Sequence, residues 1–405
     1  MFYVKPNKTP GLVEEDKKEE NKKEEDKKEE VNKIIEEDKK DEENKIEEDE
    51  KDDDIEIEEE HIIEIKSVED LEKINEKMDR IEINELNSPT ILEKLNKTKF
   101  EKLEVLCLNT IGIDSIDFLI KDIFKSLIII ELKNNGIKKL DGISKLPAID
   151  LKVLDLSSNE IDSIAEISKA VFKDLEILIL SNNKITDIKP IPDGSFTKLK
   201  KLDMSHNEIQ SIDNLGDNES LPNLEFLFLN ENKIKTISVL TKEIFKNLKE
   251  LQLNNNEIEK VDDLEKAYFI ELKELLLYGN KINFIDPLCR SKFSNLKILS
   301  LGKNEIVNIK PFEKCPFSKL EKLDLFDNKI QDIEPLKNIP FKDIQELDLS
   351  FNQIKSIDPL LNVKFKKMKD LKIEGNENLD YSNKNKNIQK IYEDYGINYT
   401  FNSIL

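Results

Sequence analysis

A pattern of aliphatic residues and one asparagine recurs through most of the chain. Its frame is L-x-x-L-x-L-x-x-N-x-I, as in residues 151–161, 224–234 and 320–330. Self-similarity at one fixed period of this length is typical of solenoid proteins, in which each repeat stacks on the next. The asparagine occurs eleven times, at intervals of 24 residues except for one interval of 25: Asn135, Asn159, Asn183, Asn207, Asn232, Asn256, Asn280, Asn304, Asn328, Asn352 and Asn376.

The apolar positions predict how each repeat folds. The alternation in L-x-L predicts a short strand with its leucines pointing inward, and stacked copies predict one parallel sheet. Phenylalanine usually stands three residues before the first leucine, as at Phe245 and Phe293, and should fill the interior under the return segment. The return segments show no strong helical period, so we expect turns, 3₁₀ pieces or a helical turn or two there.

Eleven copies in one register resemble the leucine-rich-repeat family over roughly residues 78–379. The I-x-x-I tail after each asparagine resembles the subclass typified by the nuclear regulatory subunit of protein phosphatase-1 and by bacterial internalins. The resemblance implies an α/β solenoid, a curved horseshoe of about 12 repeats of 24 residues with a parallel sheet on its concave face. It also implies that the asparagine column is structural, because in the family this side chain bonds to backbone groups of its own and the neighbouring coil.

Four segments follow from this pattern. Residues 1–60 are predicted to be a disordered acidic arm, 61–102 an N-terminal cap with a degenerate repeat, 103–379 the leucine-rich repeats, and 380–405 a C-terminal cap. Caps are expected because a solenoid otherwise exposes its core at both ends.

Each cap has its own pattern. The N-terminal cap is expected to contain a strand, a helix that begins near Ser67 or Asp70, and a further strand. In the C-terminal cap, apolar side chains share one face of a predicted helix that ends at Gly396, and residues 397–401 alternate as a strand would. The face consists of Ile388, Ile391, Tyr392 and Tyr395.

The charge of the chain is concentrated in the arm. Residues 14–60 hold 27 acidic residues and 11 lysines, a net charge of −16 out of −22 for the whole chain. Their six apolar side chains are too few to offset the entropy of ordering. The arm is therefore predicted to be a solvating tail, with the alternative that it attracts basic proteins.

Several classes of protein are disfavoured. No apolar run approaches the roughly 20 residues that span a bilayer, and the N-terminus lacks the apolar core of a secretory signal. Nucleic-acid binding is not expected, because the composition is not basic. Three scattered cysteines, Cys107, Cys289 and Cys315, imply neither a disulfide framework nor a zinc site, which favours a reduced intracellular setting, cytoplasmic or nuclear.

The sequence shows no group of residues that is typical of a catalytic site. His61 and His206 lie far apart in a solenoid, so no nucleophilic triad can be assembled around them. Phosphate-cradling loops and the usual metal motifs are absent from the sequence. We therefore predict no enzyme activity, no catalytic residue, no cofactor and no metal site.

The outward positions of the strands are the candidate binding site. Apolar residues there should face solvent, and aromatic anchors among charges are typical of interface hot spots. The competing interpretation is that scattered exposed apolar residues are ordinary on any surface. The candidate partner-binding residues are Ile177, Ile179, Asp203, Phe226, Phe228, Glu250, Glu274, Leu276, Tyr278, Asp324 and Phe326.

These patterns lead to one main hypothesis and two alternatives. The main hypothesis is a monomeric, non-catalytic intracellular scaffold that binds another protein on the concave face. One form of it is a phosphatase-type regulatory subunit, whose partner would be a phosphatase catalytic subunit. The alternatives are an acidic chaperone-like binder of basic proteins through the N-terminal arm, and an internalin-like surface adhesin. We expect no nucleic-acid partner and no membrane span in this chain.

Overall fold

The computed structural model of the chain describes residues 62–167, 170, 172–188, 196–215, 221–363, 365–379 and 386–396. The predicted acidic arm, residues 1–60, and the predicted terminal strand, residues 397–401, lie outside the described residues. The described residues belong to one compact unit.

Within the described residues, 14 strands form one parallel sheet whose order follows the sequence. Equivalent positions of the repeat frame pair with each other, so that Leu227, Leu251 and Leu275 lie side by side. The predicted leucine-rich-repeat solenoid is therefore confirmed. The strands are β1 Ile62–Ile65, β2 Arg80–Asn84, β3 Val105–Asn109, β4 Ile129–Glu131, β5 Val153–Asp155, β6 Ile177–Ile179, β7 Lys201–Asp203, β8 Phe226–Phe228, β9 Glu250–Gln252, β10 Glu274–Leu276, β11 Ile298–Ser300, β12 Lys322–Asp324, β13 Glu346–Asp348 and β14 Asp370–Lys372.

The return segments are mostly irregular, and many of them contain a short 3₁₀ helix, as their lack of a helical period predicted. Three α-helices are described: α1 Thr90–Lys97, α2 Asp286–Cys289 and α3 Lys386–Tyr395. The 3₁₀ segments are Glu69–Lys73, Asp117–Ile120, Asp122–Phe124, Ile143–Lys145, Ser238–Thr241, Glu243–Phe245, Asp262–Lys266, Lys310–Lys314, Glu334–Asn338 and Asp358–Leu361.

The core is one continuous apolar column between the sheet and the return segments. The inward leucines and isoleucines of each repeat are buried. The phenylalanines that stand three residues before the first leucine of the frame are buried too, except Phe100, which is partly buried. Phe245, Phe269 and Phe293 have no exposed surface, and the rings of the last two stack with centroids 5.6 Å apart. A phenylalanine in the same slot of successive repeats therefore fills the interior, as predicted.

Both ends of the described unit are held by specific contacts. At the start, the Ser67 hydroxyl accepts a hydrogen bond from the Asp70 amide, and the Asp70 carboxylate accepts one from the Ser67 amide. This reciprocal pair opens the first 3₁₀ segment in the manner of a capping box. At the other end, α3 buries Ile388, Ile391 and Tyr392, and the Tyr392 hydroxyl donates to the carbonyl of Leu371 in β14 at 2.8 Å.

Candidate protein-binding face

The outward strand positions, here named the concave face, carry all eleven predicted partner-binding residues. Most of them are half-buried by their neighbours on the sheet. Phe228 and Phe326 are the exceptions, with only 8% and 6% of their surface exposed. The half-buried residues are Ile177, Ile179, Asp203, Phe226, Glu250, Glu274, Leu276, Tyr278 and Asp324.

The prediction that Phe228 and Phe326 face solvent is wrong, because side chains from other strands cover them. The Lys201 ammonium lies 5.3 Å from the centre of the Phe228 ring. Phe326 lies between two other rings, with centroid distances of 6.4 Å to Tyr278 and 5.2 Å to Phe351.

The prediction that apolar residues at outward positions face solvent is also wrong on β3. Val105 and Cys107 are 1% and 5% exposed. Burial and the nearby carboxylate of Glu131 raise the pKa of the Cys107 thiol, so Cys107 is a protonated, buried side chain.

The sheet register brings a compact group of candidates together. Phe226, Glu250 and Glu274 are direct neighbours across β8, β9 and β10. Adjacent strands lie about 4.8 Å apart, so these three side chains form one row. Leu276 and Tyr278 follow Glu274 on β10 and just beyond it. We name these five residues the central patch.

Glu250 is oriented within this patch by a neighbour. The Gln252 side-chain amide donates a hydrogen bond to the Glu250 carboxylate over 2.6 Å. Both side chains are half-buried, which positions the carboxylate against the strand surface.

Aspartates at the middle outward position have a structural use that the sequence analysis missed. The Asp203 carboxylate accepts hydrogen bonds from the Ser205 amide at 2.9 Å and the Ser205 hydroxyl at 2.6 Å. Asp348 accepts equivalent bonds from Ser350. The recurring spacing D-x-S after the strand leucine is the signal that could have predicted these bonds.

Burial also changes the acidity of these aspartates. Desolvation raises the pKa of Asp203 and of Asp348, although the serine bonds and the lysines nearby favour the charged form. Asp324 also accepts bonds, from the Ser300 hydroxyl at 2.6 Å and the Phe326 amide at 2.8 Å. Asp203 and Asp324 therefore stabilise the sheet through these hydrogen bonds, and they also line the concave face.

The asparagine that ends each repeat frame bonds to two successive coils. The Asn256 side-chain amide donates to the carbonyls of Leu253 in its own repeat and Leu229 in the preceding one, at 3.1 and 3.0 Å. Its side-chain oxygen accepts from the amide of Ile234 at 3.0 Å. The same arrangement recurs along the column, so these side chains satisfy backbone groups that would otherwise be buried without partners.

The residue before each column asparagine has a left-handed backbone. Its φ angle is positive, 52° at Asn134 and 54° at Ser158, for example. Polar or small residues usually occupy this position, whereas one repeat carries Phe351 there with a φ of 52°. We name Tyr278, Phe326 and Phe351 the aromatic strip.

Cys289 and Cys315 form a disulfide between successive return segments, with a Cα–Cα distance of 4.0 Å. The expectation that the cysteines imply no disulfide is therefore wrong for this pair. Cys289 ends α2, and Cys315 follows the 3₁₀ segment Lys310–Lys314. The two segments stack in adjacent repeats, which brings together residues that stand 26 positions apart.

No group of three or more His, Cys, Asp or Glu side chains in the described part of the molecule could hold a metal ion. No helix in that part is long and apolar enough to cross a membrane.

The parallel sheet and the asparagine column are those of a leucine-rich-repeat solenoid. A family model described as leucine-rich repeats (2 copies) matches residues 173–217, 222–266 and 294–338. Comparison with curated protein sequences finds no match.

Solved structures share this fold at low sequence identity. An internalin (InlF) of Listeria monocytogenes is 22% identical with a TM-score of 0.60, over 75% of this chain and 88% of that one. A leucine-rich-repeat protein of Leptospira interrogans is 21% identical with a TM-score of 0.57, over 84% and 100%. The functional domain of Listeria monocytogenes InlJ, which includes a cysteine ladder, is 19% identical with a TM-score of 0.50, over 74% and 63%.

Proposed function

We propose that this chain is a non-catalytic scaffold that binds a partner protein on its concave face, with the central patch as the anchor. The observation that carries the proposal is the row of Phe226, Glu250 and Glu274 beside Leu276 and Tyr278. Half-buried apolar and aromatic side chains next to carboxylates give a partner both an apolar anchor and a charge to match.

The charge of the face favours a basic or mixed-charge partner segment. The outward positions of β8 to β11 carry Glu250 and Glu274 but no lysine or arginine. The nearest basic residues at outward positions are Lys201 on β7 and Lys322 on β12. A cationic segment would therefore meet complementary charge at the middle of the sheet.

A phosphatase-type regulatory subunit is one specific form of this proposal. Its support is the I-x-x-I tail of the repeats together with the mixture of aromatic and acidic side chains on the concave face. In that form the partner is a phosphatase catalytic subunit and the location is intracellular.

The test is affinity purification from cell extract followed by mass spectrometry. The double variant Phe226→Ser/Leu276→Ser removes two half-buried anchors of the central patch. A matched control, Ile270→Ser/Phe284→Ser, removes apolar side chains that are 48% and 51% exposed outside the strands. We expect the first variant to lose its partners and the control to keep them, with both folded by circular dichroism. The same partners on both variants would contradict the proposal.

A third preparation, which lacks residues 1–60, separates this proposal from binding through the acidic arm. If the concave face binds the partner, the partner remains on the shortened chain. If the arm is an acidic chaperone-like binder, its loss removes the partner.

One observation favours a second candidate, a surface adhesin. The Cys289–Cys315 disulfide is typical of an oxidising compartment, where such bonds persist. The test is rapid alkylation of thiols in intact cells, followed by peptide mapping. A disulfide-linked peptide pair from freshly blocked cells supports the adhesin, and two alkylated thiols support the intracellular scaffold.

A further inference from the structure

We propose that the aromatic strip and the carboxylates beside it form a subsite for an arginine side chain of the partner protein. This inference rests on the proposed function and specifies the chemistry of the partner segment. It places the arginine at the end of the concave face where β12, β13 and β14 lie.

The first support is the backbone of Phe351. A bulky residue with a φ of 52° is strained, because its Cβ crowds the following carbonyl group. The other non-glycine residues at this turn position are polar, and several are asparagine, which tolerates this backbone well. Phenylalanine does not favour this turn conformation. We therefore attribute its presence at this position to a role of its ring.

The second support is the way in which glycines make room for the rings. A Cβ atom on Gly302 would lie 2.7 Å from the Tyr278 ring, and one on Gly375 would lie 2.8 Å from the Phe351 ring. At these distances, a residue with a Cβ atom would fit at either glycine position only if neighbouring groups moved. Tyr278 and Phe351 are half-buried and flank the buried Phe326, so both outer rings offer surface to a ligand.

The third support is the set of carboxylates around the strip. Asp327 occupies the turn position one repeat before Phe351, and Asp348 and Glu374 lie on and just beyond the next two strands. Burial raises the pKa of each of the three, although Lys303 near Asp327 and Lys372 near Asp348 and Glu374 oppose that shift. Partly desolvated carboxylates gain more than exposed ones from an additional cation.

Arginine fits this combination better than other side chains. Its planar guanidinium stacks on an aromatic face while its edge donates to carboxylates, whereas lysine is a compact charge without a planar group. A purely apolar segment would use the rings but would bring no charge to match the carboxylates. We therefore assign the subsite to an arginine side chain of the partner.

The probe is a fluorescein-labelled peptide Gly-Ser-Arg-Gly-Ser-Arg-Gly-Ser, titrated against the full chain by fluorescence anisotropy in 0.15 M salt. Its twin carries citrulline, the neutral isostere, in place of arginine. Because the acidic arm also attracts arginine, the readout is the difference between variants of the same full chain.

The decisive variant is Phe351→Asn, which removes the ring and installs a residue that other repeats carry at this position. We expect about a fivefold loss of affinity for the arginine peptide. Relief of backbone strain and loss of the ring contact with Phe326 act in opposite directions on stability, so circular dichroism first verifies that the variant is folded. The control Phe284→Ser, which removes an exposed ring away from the strip, should bind like the unaltered chain.

Two results would overturn the subsite. They are unchanged affinity in Phe351→Asn and equal affinity of the citrulline peptide for the unaltered chain. If either of them occurs while Phe226→Ser/Leu276→Ser still loses the natural partner, the scaffold proposal stands and only the arginine subsite falls.

Discussion

The side-chain amide of Asn183 donates a hydrogen bond to the backbone carbonyl of Leu156, 27 residues earlier, at 3.0 Å. The same amide also reaches Leu180 in its own repeat, and its oxygen accepts from the Ile161 amide, each at 3.0 Å. One side chain therefore bonds to backbone groups of two coils that the chain itself connects only through a long return segment.

Replacing Asn183 by alanine should destabilise the array strongly. The Ile161 amide loses its partner, and the carbonyls of Leu156 and Leu180 each lose one of two side-chain donors. A buried group left without a partner costs about 1–3 kcal/mol. Hydrogen exchange with mass spectrometry should show faster exchange around residues 156–185, because neighbouring repeats are coupled mainly through their shared interfaces. The adjacent variant Asn182→Gly is the control, since Asn182 is exposed, its φ is 54° and glycine adopts that backbone freely. Equal exchange in the two variants would contradict a structural column.

Asp203→Asn should stabilise the protein at neutral pH. Asparagine can still accept the two Ser205 bonds, but it does not carry a charge that burial disfavours. A carboxyl with a raised pKa in the folded state contributes stability that is fully present below its ordinary pKa of 3.8 and is lost as pH rises through the raised value.

The advantage of the Asp203→Asn variant should therefore grow with pH and then level off. Urea unfolding of both proteins from pH 3 to pH 7 measures this difference, and the other titrating groups cancel in it. An advantage that shrinks as pH rises would mean that the pKa of Asp203 is lowered instead.

Reduction of the Cys289–Cys315 disulfide should lower stability. The bond joins residues 26 positions apart, and closing a loop of that size is worth about 3 kcal/mol in the chain-entropy account. Thermal unfolding with and without a reductant measures the loss. The double variant Cys289→Ser/Cys315→Ala provides the control, because a reductant should not change its midpoint. A reductant that shifts both proteins alike would exclude the disulfide as the cause.

Gly302→Ala should disturb the aromatic strip. The new methyl group would lie 2.6 Å from the Asp324 carboxylate and 2.7 Å from the Tyr278 ring, and overpacking of this kind costs about 1–3 kcal/mol. Gly136→Ala is a matched control, because a Cβ there meets only the Ile113 carbonyl oxygen, at 3.5 Å. Urea unfolding should give a lower midpoint for Gly302→Ala than for Gly136→Ala. Equal midpoints would show that the strip accommodates the methyl group without loss of stability.

The fold could be predicted from the sequence because one period sets strand, core and turn together. Once Asn256 and its equivalents are aligned, every leucine of the frame has a defined direction, and the described structure agrees. Neighbouring repeats impose the same geometry on each other, so local preference and long-range packing agree.

The exposure of the concave side chains could not be predicted in the same way. Strand alternation says that Phe228 and Phe326 point outward, but not that Lys201, Tyr278 and Phe351 lie over them. Burial on the outer face depends on the lengths and rotamers of side chains in other repeats, which the period does not determine.

The disulfide was missed for a related reason. Cys289 stands nine residues after Asn280, and Cys315 stands eleven after Asn304, so the two occupy different slots of the repeat. An alignment of repeats therefore separates them. Their proximity depends on the paths of α2 and the following return segment, which vary between repeats.

The sequential order of the sheet has an evolutionary consequence. Because each strand pairs only with the strands of the preceding and following repeats, with equivalent residues opposite each other, removing one 24-residue unit would bring β10 beside β12 in an unchanged register. Duplication or loss of a unit within the gene would therefore change the reach of the binding surface without requiring a new core. The number of units is a variable that selection can adjust independently of the residues that recognise a partner.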